Sequence, residues 1–354
     1  MARVTVVGTG VAGSYLGARL ALAGIDVEGV EAQDPAGYRS VCAWATSLEG
    51  MRERLRQLDV DMEDYVLVEA RGISVDLGGT IHEVPTRHLV TFDKPALIRR
   101  LMGTFRVRHS VRARGIPGDA SGLVVDATGV HRAVIGPARS GTEFALPAYQ
   151  LRVRYRNPPM ESFYVRPFPR YSGYLWYFPL GGGEFFVGAG DLHHMHLRYL
   201  SEFLDEHRPD EVLSREGRPI RISPPGILEP ISRSAGAAAV VAVGEAAGAV
   251  LPILGEGILP SVESAELLAE ILLREGVEGF SADRYEGELR RRFSAFRAAY
   301  RFVRRKQAGT CRASDPSCLA DAARLALFFS SRWGRRLTGI APGPEHVWLA
   351  LRPF

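Results

Sequence analysis

Gly8-Thr9-Gly10-Val11-Ala12-Gly13 follows the β-branched run Arg3–Val7 and precedes the small-residue stretch Ser14–Ala23, which Gly24 stops. The run reads as a buried parallel strand, the glycines as a tight turn and the stretch as a helix. Asp26–Glu31 reads as a second strand, completing a βαβ unit. In this GxGxxG spacing Gly8 permits the turn, Gly10 lets the backbone approach a pyrophosphate, and Gly13 allows close helix–sheet packing. The helix N-terminus holds negative charge. Glu31, closing the second strand, is placed to accept hydrogen bonds from ribose hydroxyls. An acid there disfavours a 2′-phosphate, so NADP is not expected at this site.

Outward from this fingerprint, residues 65–90 alternate, with Gly78-Gly79 as a hairpin signal. Asp93 reads as the N-cap of a helix ending at Met102, with Pro95 in its first turn. Leu123–Asp126 reads as a strand ending in Ala-Thr-Gly. Residues 145–190 are rich in aromatic and β-branched residues and predict antiparallel strands of a second sheet. Residues 197–207 predict a helix. Val240–Val243 predicts a buried strand entering Gly244-Glu245-Ala246-Ala247-Gly248, then Pro252, Gly255-Glu256-Gly257-Ile258 and a helix to Arg274. A strand entering such a turn can bring an acid near a ribitol chain, and the next helix N-terminus then faces a flavin pyrimidine or pyrophosphate. This second glycine segment makes FAD, rather than NAD, the expected cofactor.

The expected fold is α/β: a discontinuous FAD-binding domain with a Rossmann-like parallel sheet (1–62, 91–142 and 236–280), an interleaved antiparallel-sheet substrate domain (63–90 and 143–235), and a helical C-terminal region (281–354). With 354 residues, 46% of them hydrophobic, the chain is long enough for a large core. A net charge of +4 and the lack of any recognition helix argue against nucleic acid. The start does not read as a signal peptide, and glycines, Glu245, Pro252 and Glu256 interrupt the apolar stretch 235–260, so no membrane span is expected. The expected location is cytoplasmic. Disulfides are then not the default, with a Cys311–Cys318 bridge, as in intracellular proteins of hyperthermophiles, as the open exception. His193, His194 and His196 cluster near Asp191 as the only acid, and no metal site is expected.

These segments resemble the flavoprotein superfamily of p-hydroxybenzoate hydroxylase. Its GxGxxG corresponds to Gly8–Gly13, its middle acid-plus-glycine motif to Asp126-Ala127-Thr128-Gly129, and its late GDAAG…PxxGxG to Gly244–Ile258. Asp93–Leu97 resembles its D-R-x-x-L, with Lys94 in place of an arginine that contacts FAD; Glu245 stands where aspartate is usual. More narrowly, Tyr174-Leu175-Trp176-Tyr177-Phe178-Pro179, then eight residues, then Gly188-Ala189-Gly190, is similar to the Y-x-W-x-F-P…G-x-G pattern of the geranylgeranyl reductase family, especially its archaeal digeranylgeranylglycerophospholipid reductases. Cys42 fits that family's cysteine close to the flavin. The resemblance implies that Gly8, Gly10, Ala12, Gly13, Glu31 and Ala32 contact FAD from the fingerprint side. It implies Cys42, Ala43, Lys94 and Val111 beside them, with Asp126, Gly129, Glu245, Gly257 and Ile258 completing the site. Tyr174, Trp176, Phe178 and Pro179 would wall an apolar pocket, with Gly188 and Gly190 making room for a prenyl chain.

The resemblance further implies an enzyme that reduces isoprenoid double bonds of a prenylated glycerophospholipid, with Cys42 assisting and reduced ferredoxin or NAD(P)H as donor. A monooxygenase or halogenase of the same superfamily is the rival within the fold. Halogenases need a lysine near the reaction tunnel, for which Lys94 and Lys306 are the only candidates. A non-catalytic flavin electron carrier is the rival from another class. In residues 288–306, Phe293, Phe296, Ala299, Tyr300 and Val303 follow helical spacing among basic residues. That stretch reads either as a helix packed on the domain or as a peripheral contact with an anionic membrane surface.

Overall fold

The computed structural model describes residues 3–118, 120, 122–236, 238–312, 315–343 and 346. The outermost ends of the expected first domain (1–2) and C-terminal region (347–354) lie outside them.

Val4–Val7 pairs in parallel with Val27–Val30 on one side and with Leu123–Asp126 on the other. Arg106–Arg108 extends one edge in parallel, and Ala238–Ala242 followed by antiparallel Ser232–Ala235 extends the other, giving six strands. Because the strand order reverses about Val4–Val7, a crevice opens at the carboxyl ends of the central strands, where open α/β sheets take their ligands. The fingerprint helix is Val11–Leu22, and Ile258–Glu275 packs against it.

The second sheet has seven strands in the order 211–221, 145–154, 184–191, 173–181, 163–167, 72–76, 81–85. It is antiparallel except for the parallel pair Phe163–Pro167 with Gly72–Asp76. The hairpin expected at Gly78-Gly79 joins Gly72–Asp76 to Ile81–Pro85. Val66–Glu69 leaves this sheet and pairs with Leu89–Phe92, which also pairs with Ala45–Ser47 in a small third sheet.

Local chemistry explains the helix starts. Asp93 accepts a hydrogen bond from Ala96 N at 2.9 Å and caps Lys94–Met102, which carries proline in its first turn. Ser281 and Asp315 cap Ala282–Arg292 and Pro316–Ser330 in the same way. Residues 288–306 are not one helix: the chain breaks at Phe293 between Ala282–Arg292 and Ser294–Gln307. Of the expected stripe, Phe293, Phe296, Ala299 and Val303 are buried, as is Phe302 beside them, and Tyr300 is half-buried. The apolar stripe is therefore packing surface, and the membrane reading loses the face it relied on. No described helix is long and apolar enough to cross a membrane.

Candidate functional site

A cavity of about 1290 Å³ runs from the carboxyl ends of the parallel strands along the face of the seven-stranded sheet. At its first end stands the fingerprint. Gly8 has φ +86°, and a Cβ there would meet the Ala127 carbonyl oxygen at 2.7 Å. A Cβ on Gly13 would lie 1.9 Å from Gly8 O, so this glycine sits behind the cavity wall and serves helix–sheet contact. Gly10 is different: a Cβ there would find only Tyr38 Oη, at 4.0 Å, and would point into open space. Gly10 also makes no side-chain cap for the helix that starts at Val11. Its first N–H groups thus face the cavity at the positive end of the helix dipole.

The buried Glu31 carboxylate closes this end. Its Oε2 accepts from Thr9 N at 2.8 Å and Thr9 Oγ1 at 3.0 Å, and its Oε1 from Gln33 N at 2.9 Å. Open glycine backbone, an uncapped helix start and an acid one strand away fit the pyrophosphate and ribose of a dinucleotide. Ala12, Ala32, Cys42, Ala43, Lys94, Val111, Gly129, Gly257 and Ile258 line the same cavity.

Asp126 does not line it. Its carboxylate accepts from Thr128 N and Oγ1 and from Val134 N and Ile135 N, all within 2.9 Å, and so folds its own loop. Glu245 reaches the cavity but is held: Arg218 donates to Oε2, and Arg221 N donates to Oε1 at 2.9 Å. Arg218 lines the cavity too, and the nearby Glu245 carboxylate holds its pKa above the ordinary arginine value. Behind this loop the buried Arg132 donates to the carbonyls of Gly136, Ala246 and Pro230, tying three segments together.

The other end is apolar. Tyr174, Trp176 and Phe178 share one face of the strand Gly173–Gly181 and line the wall, with Gly190 beside them. Gly188 does not make room for a ligand: a Cβ there would strike the Trp176 ring at 2.4 Å and Gln150 Cβ at 2.6 Å, so it seats the tryptophan. Pro179 lies off the wall, its carbonyl accepting from Thr91 Oγ1 at 2.6 Å. The lining also includes Phe302, Val303 and Gln307 of Ser294–Gln307, and Ala322, Leu325 and Phe329 of Pro316–Ser330. Cys311, after the first of these helices, is joined in a disulfide to Cys318, in the first turn of the second.

Between the two ends the polar groups converge. Cys42 is a free, half-buried cysteine whose carbonyl accepts from Gln150 Nε2 at 3.2 Å. The Tyr174 hydroxyl donates to Leu254 O, and burial, with Glu256 and Cys42 nearby, raises its pKa above the ordinary tyrosine value. Lys306, one of the two lysines, is not on the cavity wall; its ammonium lies 5.7 Å from the Tyr171 and Phe302 ring centres. In the histidine cluster, Asp191 Oδ2 accepts from His193 N and Met195 N, shaping the loop. Among the described residues no group of three or more His, Cys, Asp or Glu is placed to hold a metal.

Three contributors to the cavity carry no clear signature in the sequence. Arg218 sits on Glu211–Arg221, an edge strand disguised by charges, Gly217 and Pro219, which an edge tolerates. Glu256 is hidden within the glycine motif Gly255-Glu256-Gly257. The wall from 294–330 carried no family signal; only its helical apolar spacing was readable.

No protein-family model matches the chain. Among curated proteins it is 30% identical over 193 residues to digeranylgeranylglycerophospholipid reductase 2 of Methanothermobacter thermautotrophicus, a match covering 50% of this chain and 48% of that protein. The match thus spans about half the length of that relative. It is 25% identical over 308 residues to the digeranylgeranylglycerophospholipid reductase of Methanosarcina mazei, covering 75% of this chain and 74% of that one. Among solved structures, a geranylgeranyl bacteriochlorophyll reductase-like protein from Thermoplasma acidophilum superposes with TM-score 0.75 at 16% identity, over 99% of this chain and 95% of that one. A flavin-dependent brominase superposes with TM-score 0.66 at 14% identity, over 92% and 94%. The resemblance read from the motifs is thus repeated in curated relatives, and the α/β fold is that of these flavoproteins.

Proposed function

We propose that the chain is an FAD-dependent reductase of the geranylgeranyl reductase type, saturating isoprenoid double bonds of a prenylated ether glycerophospholipid. The observation that carries this reading is the single cavity shared by a dinucleotide cradle and an apolar wall. The curated relatives' names supply the substrate class. FAD, when bound and reduced, supplies a hydride equivalent. The protein's part is to hold the chain. Tyr174, Trp176 and Phe178 of the sheet, with Phe302, Leu325 and Phe329 of the helices, exclude water and fix an alkene that has no polar handle of its own. The fingerprint is assigned to FAD, so the donor is reduced ferredoxin or loosely held NAD(P)H.

Anaerobic incubation of the chemically reduced protein with a geranylgeranyl lipid, followed by mass spectrometry, tests the reading. A gain of mass in steps of two hydrogens is expected; no gain rejects it. The second reading, a halogenase or monooxygenase, draws on the brominase-like fold and on Lys94 at the cavity wall. It predicts oxygen-dependent turnover instead. Under the reductase reading, Cys42→Ala lowers turnover while FAD still binds, as measured by flavin fluorescence titration. Unchanged turnover removes Cys42 from the mechanism.

A further inference from the structure

Saturating an alkene needs a proton as well as a hydride. Among the described residues, the carboxyl groups lining the cavity are those of Glu31, Glu216, Glu245 and Glu256. Glu31 has both oxygens committed to Thr9 and Gln33 at the fingerprint end. Glu245 has both committed to Arg218 and the Arg221 N–H. Glu216 accepts through Oε2 from Gln150 Nε2 at 3.2 Å, the same nitrogen that donates to Cys42 O.

Glu256 differs from Glu31 and Glu245 in leaving one oxygen without a partner among the described residues, and from Glu216 in standing next to the peptide that holds the Tyr174 hydroxyl. Its Oε1 alone takes the local hydrogen bonds, from Thr46 Oγ1 at 3.1 Å, Ile258 N at 3.1 Å and Leu259 N at 3.0 Å. Its Oε2 accepts none among the described residues, and the side chain lines the cavity. It also sits at the junction of the two ends. The preceding Leu254–Gly255 peptide lies under the Tyr174 hydroxyl, which is bonded to Leu254 O and would lie 2.9 Å from a Cβ on Gly255.

We propose that Glu256 delivers the proton to the alkene through Oε2. The inference rests on the reductase reading. The π bond breaks; one carbon takes the hydride equivalent supplied by reduced FAD, and the other takes the proton from Glu256. Glu256 is left as a carboxylate and regains its proton from water. Burial pushes its carboxyl up to about 7, against the opposing pull of the Leu259 N–H, Thr46 and the Lys94 ammonium. It therefore holds a proton at the pH where a general acid is most useful. The charged and titratable groups facing it are Lys94 on Lys94–Met102 and Tyr174 on Gly173–Gly181, with Cys42 beyond the tyrosine. Tyr174 is raised and bonded to a carbonyl, so it is a poor acid here.

The test uses the FAD-loaded protein with a geranylgeranyl lipid under anaerobic reduction. Wild-type turnover is expected to fall as pH rises through about 7. Glu256→Gln keeps an acceptor for the Ile258 and Leu259 N–H groups, so it is expected to fold and to bind FAD. It should lose turnover by ~10²–10⁴-fold and lose the pH limb. Glu256→Asp keeps an acid and should recover part of both. Infrared spectroscopy gives a readout independent of turnover: a protonated-carboxyl band that titrates near neutral pH in the wild type and is missing in Glu256→Gln. Glu256→Gln turning over as fast as wild type, or no such band, overturns the proposal. A wild type that leaves the lipid unchanged rejects the reductase reading itself, while the infrared titration still reports the state of Glu256.

Discussion

Under the FAD assignment proposed above, Gly10→Val is expected to weaken FAD binding by about 100-fold or more, roughly 3 kcal/mol, while the cofactor-free protein melts as the wild type does. The two halves of this result have separate causes. Gly10 has φ −63°, which any residue adopts, and a Cβ there meets only Tyr38 Oη at 4.0 Å. The fold does not need glycine at this position. The added isopropyl group instead occupies the space over the helix start, where a pyrophosphate must approach the backbone. Gly13→Val is the contrasting control. Its Cβ would lie 1.9 Å from Gly8 O, so the cofactor-free protein itself is expected to lose at least ~1–3 kcal/mol. Fluorescence titration of FAD and thermal melting of the cofactor-free protein read the two effects. Unimpaired FAD binding by Gly10→Val would reject the fingerprint as the cofactor site.

That contrast marks what was legible in the sequence. Gly8, Gly10 and Gly13 are spaced by the turn they make, so their residue types and order encode the crevice directly. Asp93 and its cap were legible because the bond spans three residues. Asp126 shows where local reading ends. An acid followed by glycine looks like a ligand contact, but its oxygens are used by Thr128, Val134 and Ile135 to fold the loop. Gly188 suggests space for a chain in the sequence, but its neighbour across the sheet, Trp176, fills that space. The tail was opaque for another reason. An apolar stripe tells that a helix face is buried but not against what; Phe293 and Phe296 face the core, whereas Phe302 and Val303 reach the cavity.

Glu263→Ala is expected to cost about 3–5 kcal/mol of stability, the range for removing one partner of a buried ion pair. Glu263 is fully buried in Ile258–Glu275. It accepts from Arg54 Nε at 2.8 Å and Nη2 at 2.9 Å, from Arg336 Nη2 at 3.1 Å, and from Arg292. One carboxylate thus joins Leu48–Leu55, Ala282–Arg292 and Arg332–Thr338 to the helix that backs the fingerprint. Without it, the buried Arg54 guanidinium has lost its counterion. Burial works to raise the Glu263 pKa, but the bonds and charge of Arg54, with Arg292, outweigh it and hold the group below the usual glutamate value. A depressed folded-state pKa gives stability that is present above the unfolded pKa and lost as pH falls through the folded one. The wild type should therefore lose this contribution on acidification below the normal glutamate range, and Glu263→Ala should lack that part of its acid sensitivity. Denaturant midpoints across pH measure both. A cost under about 1 kcal/mol would show that the arginines find other partners.

The disulfide-joined pair Ser294–Gln307 and Pro316–Ser330 has a consequence for how such a protein can diversify. The cradle is made by the parallel sheet, whereas Phe302, Leu325 and Phe329 come from a hairpin outside all three sheets. It acts as a replaceable gauge, tied to itself by Cys311 and Cys318. Under the reductase reading, exchanging bulk at Leu325 or Phe329 would retune which chain lengths are accepted while leaving the dinucleotide cradle untouched, so descendants of one scaffold could part in diet without parting in chemistry.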